Sequence, residues 1–177
     1  MSDLLRDRQI VHAELERARS TLRSLVANAS PADLRQPTDG TRWTNQQILF
    51  HMVFGYMIVL GLLPLVRFFG CRPDRYSRVF SAVLNAGTRP FHAVNYLGSF
   101  GGAMVFHGPR LTRKCDRVIA ALHRQLDRET DATLGRRMHF PVDWDPYFRD
   151  SMTLLDVYQY GTLHFDFHAR QLTLRRR

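Results

Sequence analysis

Three histidines set the chemistry this sequence can do. His164 and His168 stand four residues apart in LHFDFHARQL. On a helix that spacing puts both imidazoles on one side, one turn apart. Both can then reach one metal ion at about 2.0–2.1 Å. Two ligands rarely suffice, and His51 is the candidate third. A plainer reading stands beside this one, because a histidine on an apolar stripe is often a core residue with satisfied nitrogens. The zinc-protease pattern HExxH is absent: Phe165 follows His164, so no glutamate base is placed there.

Four helical segments must position these residues. The first covers about residues 3–28, where Leu4, Val11, Leu15, Ala18, Leu22 and Leu25 recur at alternating three-four spacing. Pro31 ends it. The second opens at Thr44, which forms a capping box with Gln47, and runs to about Phe69, with Pro64 as the one point where a kink or stop is possible. On it His51 shares a stripe with Gly55, Ile58 and Leu62. The third follows Gly108, with Pro109 in its first turn and an apolar stripe of Leu111, Cys115, Val118, Leu122 and Leu126. It ends before Gly135. The fourth starts at Thr153 with Asp156 as capping partner, and its stripe is Leu154, Val157, Gly161, His164 and His168. Both histidine-bearing stripes should face the core. Gly55 and Gly161, each one turn from a histidine, are expected to leave space for an ion, a water and a ligand.

The result is an all-α four-helix bundle over residues 1–177, read as one domain, with a long ordered insertion at about 71–107. That insertion is too apolar for a linker and predicts one short helix near 77–86, then an ordered loop packed on the bundle. The stretch from Asp131 to Asp150 contains HFPVDWDPYF, an aromatic loop suited to closing over one end.

Bulk properties narrow the function. The chain has 177 residues, 45% hydrophobic and 23% charged, an ordinary globular composition. The net charge is +9, but the basic residues are scattered and only Arg175, Arg176 and Arg177 form a run. That favours a solvated surface over a nucleic-acid groove. Trp43 to Val66 carries no charged residue. Its uninterrupted apolar part, MVFGYMIVLGLLPLV, is shorter than the roughly 20 residues of a membrane span, so a buried helix is expected. The charged N-terminus excludes a secretory signal and makes cytoplasmic location the default. Cys71 and Cys115 have no metal-type spacing, and Cys115 reads as buried and inert. His92, His107 and His139, in expected loops, are acid–base candidates. Arg42 and Arg89 are anion-binding candidates, and Trp144 is a candidate pocket wall. Each of these also has an ordinary structural reading.

WTNQQILFH (43–51) resembles the tryptophan-led opening of the second helix in the DinB-like (YfiT-type) superfamily, whose first metal histidine falls eight residues after the tryptophan. TLLDVYQYGTLHFDFHARQL (153–172) resembles its last helix, with a threonine cap and the HxxxH pair. The chain looks like an actinobacterial-type member. The resemblance implies a four-helix bundle, often dimeric, with His51, His164 and His168 as ligands of a divalent metal, zinc or nickel foremost. It further implies a small-molecule substrate and a thiol S-transferase of the mycothiol or bacillithiol kind, or a hydrolase. A non-catalytic metal or small-ligand binding bundle is the alternative, and a basic DNA-associated stress protein is the third reading. The 71–107 section is longer than in compact members, so substrate contacts are not carried over.

Overall fold

The computed structural model describes residues 3–174. The Arg175–Arg177 run and the Leu4 side chain lie outside what is described. The first stripe folds as α1 (Asp3–Asn28), burying Val11, Leu15, Ala18 and Leu22. Ser30 and Asp33 form a capping box that opens the short α2 (Pro31–Arg35). The Thr44–Gln47 capping box opens α3 (Asn45–Phe69). α3 ends at Phe69 as expected and does not stop at Pro64: it continues through the proline, which is exposed, with Leu63 and Val66 buried on either side. Packing of that apolar face outweighs the lost backbone bond.

The insertion is helical almost throughout, as α4 (Asp74–Ala86) and α5 (Thr88–Val105). The expected loop after residue 86 is therefore corrected to a helix of 18 residues. Its physical reason is close packing. Ser99 and Ala103 are buried, and a side chain at Gly102 would overlap the Phe50 ring of α3. Small residues, which weaken an isolated helix, here let α5 lie directly on α3.

Next come α6 (Gly108–Asp127), whose stripe of Leu111, Cys115, Val118, Leu122 and Leu126 is fully buried, and the short α7 (Asp131–Leu134). Two strands then appear that the sequence reading lacks. β1 (Arg137–His139) pairs antiparallel with β2 (Ser151–Thr153), Met138 opposite Met152, and so ties down the base of the 140–150 loop. The chain closes with α8 (Leu154–Ala169), opened by the Thr153–Asp156 capping box.

Helices α1, α3, α6 and α8 form the bundle. α3 sits at its centre, packed on α8, α5 and α6, while α1 packs on α6 and α8. α3 is long and apolar enough to cross a membrane, yet 56% of its most apolar window is buried inside the protein. Its central position explains the missing charges.

Candidate metal centre

The seam between α3 and α8 is built on two reciprocal contacts. A Cβ at Gly55 of α3 would overlap the His164 imidazole, and a Cβ at Gly161 of α8 would stand 2.7 Å from the Tyr56 ring. Each helix thus gives up a side chain to receive a ring from the other. This corrects the expectation that the glycines leave room for an ion and water, since the rings themselves fill that room. The close approach brings the inner stripes together.

His51, His164 and His168 meet there. One ligand atom from each lies within 4.8 Å of the others, and all three are buried, at 3%, 3% and 8% exposure. Their ring centroids are 4.5–4.9 Å apart. Nitrogens that share one tetrahedral ion through bonds of about 2.1 Å stand about 3.4 Å apart, so the rings must converge by roughly 1.4 Å at most to hold one.

Two of the three rings are held by neighbours through their outer nitrogens. His51 Nδ1 is 2.8 Å from Ser99 Oγ of α5, and His168 Nδ1 is 2.7 Å from Gln171 Oε1. The amide oxygen only accepts, so His168 donates from Nδ1 and keeps its Nε2 lone pair free. Such bonds orient a metal-binding imidazole and fix its tautomer. His164 Nδ1 is buried without a partner, and its Nε2 is 3.9 Å from Asp145 Oδ2. Trp43 leans over His51 with ring centroids 4.4 Å apart.

Electrostatics keep the cluster neutral. Burial, then the neighbouring His168, pushes His51 down to about 3. Burial, then His51 and His168, pushes His164 well below the ordinary histidine value. Burial also lowers His168, against the opposing Gln171 bond. The 3.9 Å approach of neutral His164 to Asp145 is therefore not an ion pair. Asp145 itself is raised by burial, although the Tyr147 N–H at 2.9 Å and the Tyr160 hydroxyl at 3.0 Å donate to it. Three neutral imidazoles with oriented lone pairs are what a divalent ion needs, and this group can hold one.

A cavity of about 320 Å³ adjoins the cluster, and its wall includes His51, His164, Asp145 and Tyr160. Most of the rest is apolar, contributed by α3, α4, α5 and the 138–148 segment. Trp144 is part of that wall, stacked on Phe91 at 3.8 Å with its indole N–H donating to Leu84 O at 3.0 Å. Asp145, Ser99 and Gln171 were not singled out by sequence. The only signal for Asp145 was an acid between Trp144 and Pro146 in an otherwise aromatic loop.

The other candidates lie elsewhere. His92 and His107 are exposed. His139 sits in β1 between Asp150 and Asp74, each 3.0 Å away, and the Asp150 bond raises its pKa. Arg42 and Arg89 are exposed and absent from the cavity wall. Cys115 is buried, which pushes its thiol up to about 12, while Cys71 is exposed.

With this geometry in place, the family comparison is informative. The family described as the DinB superfamily matches residues 14–172, a span that includes all three histidines. The chain belongs to that superfamily. Comparisons with curated proteins and with solved structures returned no match.

Proposed function

We propose that this DinB superfamily member binds one divalent metal ion, zinc or nickel foremost, through His51, His164 and His168. We further propose that it is a metal-dependent enzyme, a thiol S-transferase using a low-molecular-weight thiol or a hydrolase. The observation that carries the reading is three buried, neutral imidazoles converging where two helices interlock. When bound, the ion would supply Lewis acidity and favour the deprotonated form of a thiol or water beside it. Ser99 and Gln171 hold two of the rings in register. Asp145 is the group at the cavity wall suited to take and return a proton, since burial raises its pKa. Trp144 and Phe91 exclude bulk water from that side.

The test is turnover. Metal-loaded protein is screened for thiol addition to small electrophiles and for hydrolysis of small esters and amides, with His51→Ala as control. Turnover abolished in the variant supports the enzyme. Metal bound at about one ion per chain without turnover across the screen favours a non-catalytic metal-binding bundle. The third reading draws on the basic face of α6, where Arg110, Arg113, Lys114 and Arg117 lie together. It requires salt-sensitive DNA binding, and no binding at low salt ends it.

A homodimer is proposed on a separate observation. Val94, Leu97 and Met104 of α5 are 68%, 64% and 65% exposed, and Gly98 and Gly101 between them have open space around them. A second copy can approach that face closely. Sedimentation of Leu97→Glu against the native chain tests it, with a monomer expected only for the variant.

A further inference from the structure

We propose that the cavity beside the histidines binds an uncharged, largely apolar ring compound carrying one hydrogen-bond donor, which Asn95 receives. This names the substrate class of the centre proposed above and rests on that reading for its catalytic meaning.

The walls argue against a charged occupant. Among the lining residues there is no lysine or arginine, so in the metal-free protein a carboxylate or phosphate would lose water without gaining a counter-charge. The net charge of +9 is thus no guide to the ligand, because none of the basic residues lines this space.

Size and shape favour rings. A volume of about 320 Å³ is at the small end of ligand pockets, which run to about 1,000 Å³. Phe91 and Trp144 lie nearly parallel, 8° apart, and the indole N–H is already committed to Leu84 O. That makes a fixed aromatic wall whose polar edge asks nothing of a ligand. Ile58 and Leu62 of α3 line the same space.

One polar demand is left unmet. Asn95 lines the cavity, and its Oδ1 is buried without a hydrogen-bond partner, so rotation of the amide would present it to a ligand. An acceptor left without a donor in such a place is costly, and a ligand hydroxyl or N–H would satisfy it. Asn95 lies one helical turn before Ser99, which holds His51. A ligand anchored at Asn95 therefore has its ring system beside the histidine cluster.

The test uses three matched probes at neutral pH: 1-naphthol, 1-methylnaphthalene and 1-naphthoate. Affinities are measured by calorimetry on chelator-treated and on zinc-loaded protein. Both neutral rings should bind saturably to either form, and naphthoate should not bind the chelator-treated form. Asn95→Leu should shift the naphthol-to-methylnaphthalene affinity ratio about tenfold toward methylnaphthalene, the value of one net hydrogen bond. Asn95→Ala should give the same shift if the leucine variant folds poorly. Leu62→Trp, which fills the space, should abolish binding of both. No saturable binding of the neutral rings, tighter binding of naphthoate to the chelator-treated protein, or a ratio unmoved by both Asn95 variants would overturn the proposal. Ring binding by a protein that holds no zinc would leave the cavity assignment standing and remove the metal centre, so the two readings fail separately.

Discussion

Six of the histidines in this chain fall into two groups that differ in one feature, a carboxylate partner. On the α1–α6 face, His12 Nε2 is 3.1 Å from Asp127 and His123 Nε2 is 2.7 Å from Glu16, with the two rings stacked 4.8 Å apart. His139 is held by Asp150 and Asp74. Along the α3–α8 seam, His51, His164 and His168 are buried, two are bonded to neutral groups, and the one nearby acid stops 3.9 Å short. A carboxylate pulls a histidine toward holding a proton, a pull that wins at His139 and loses to burial and the neighbouring His123 ring at His12. A buried histidine without a carboxylate is kept neutral, with a lone pair to offer. The first arrangement ties helices and strands together, and the second is suited to a cation.

The two seam glycines give the largest effects that sharpen this contrast. Gly55→Ala and Gly161→Ala each overpack the interlock and should cost about 1–3 kcal/mol in denaturant unfolding. Gly55→Ala also displaces the His164 ring and should lose bound metal, whereas Gly161→Ala presses on Tyr56 and should retain it. Equal metal loss in both would mean that only general packing matters.

A smaller effect is expected at Ser99. Ser99→Ala removes the partner of His51 Nδ1 and should weaken metal affinity by about 10–100-fold, read by competition with a chelator. Unchanged affinity would show that the bond only stabilises the fold.

The smallest effects concern the carboxylate-paired histidines and depend on pH. Hydrogen bonding to Asp150 raises His139, so its stabilisation is full below the unfolded value of about 6.5 and fades as pH rises through its higher folded value. His139→Gln should therefore lower Tm more at pH 5.5 than at pH 9. Burial lowers His12, the opposite sign, so His12 costs stability as pH falls below about 6.5. His12→Gln should accordingly compare more favourably with the native chain at pH 5.5 than at pH 9. Thermal melts at the two pH values check both, and a matching sign in the two variants would mean that burial and His123 do not outweigh the carboxylate at His12.

The same physics decides what was legible in the sequence. α1, α3, α6 and α8 each bury large apolar residues on one side, so their 3.6-residue period is visible, and the histidines fall on those stripes. α5 inverts the pattern: it buries Ser99 and Ala103, packs Gly102 against Phe50 of α3, and exposes Val94, Leu97 and Met104. Small residues inside and large ones outside read as a loop. The strands β1 and β2 have three residues each, too few for an alternating pattern to register. Gln171 is three residues from His168, but Ser99 is 48 residues from the histidine it supports, and Asp145 reaches the cluster only because β1 and β2 pin its loop. Such partners are set by tertiary packing and leave no local trace.

Elemental analysis of the purified native chain and of His164→Gln, both without chelators and after zinc reconstitution, tests the central claim most directly. About one ion per native chain, with little or none in a variant that melts cooperatively, is the result this account predicts. No metal in the native chain after reconstitution, or equal metal in the two proteins, would contradict it and return the three imidazoles to core packing.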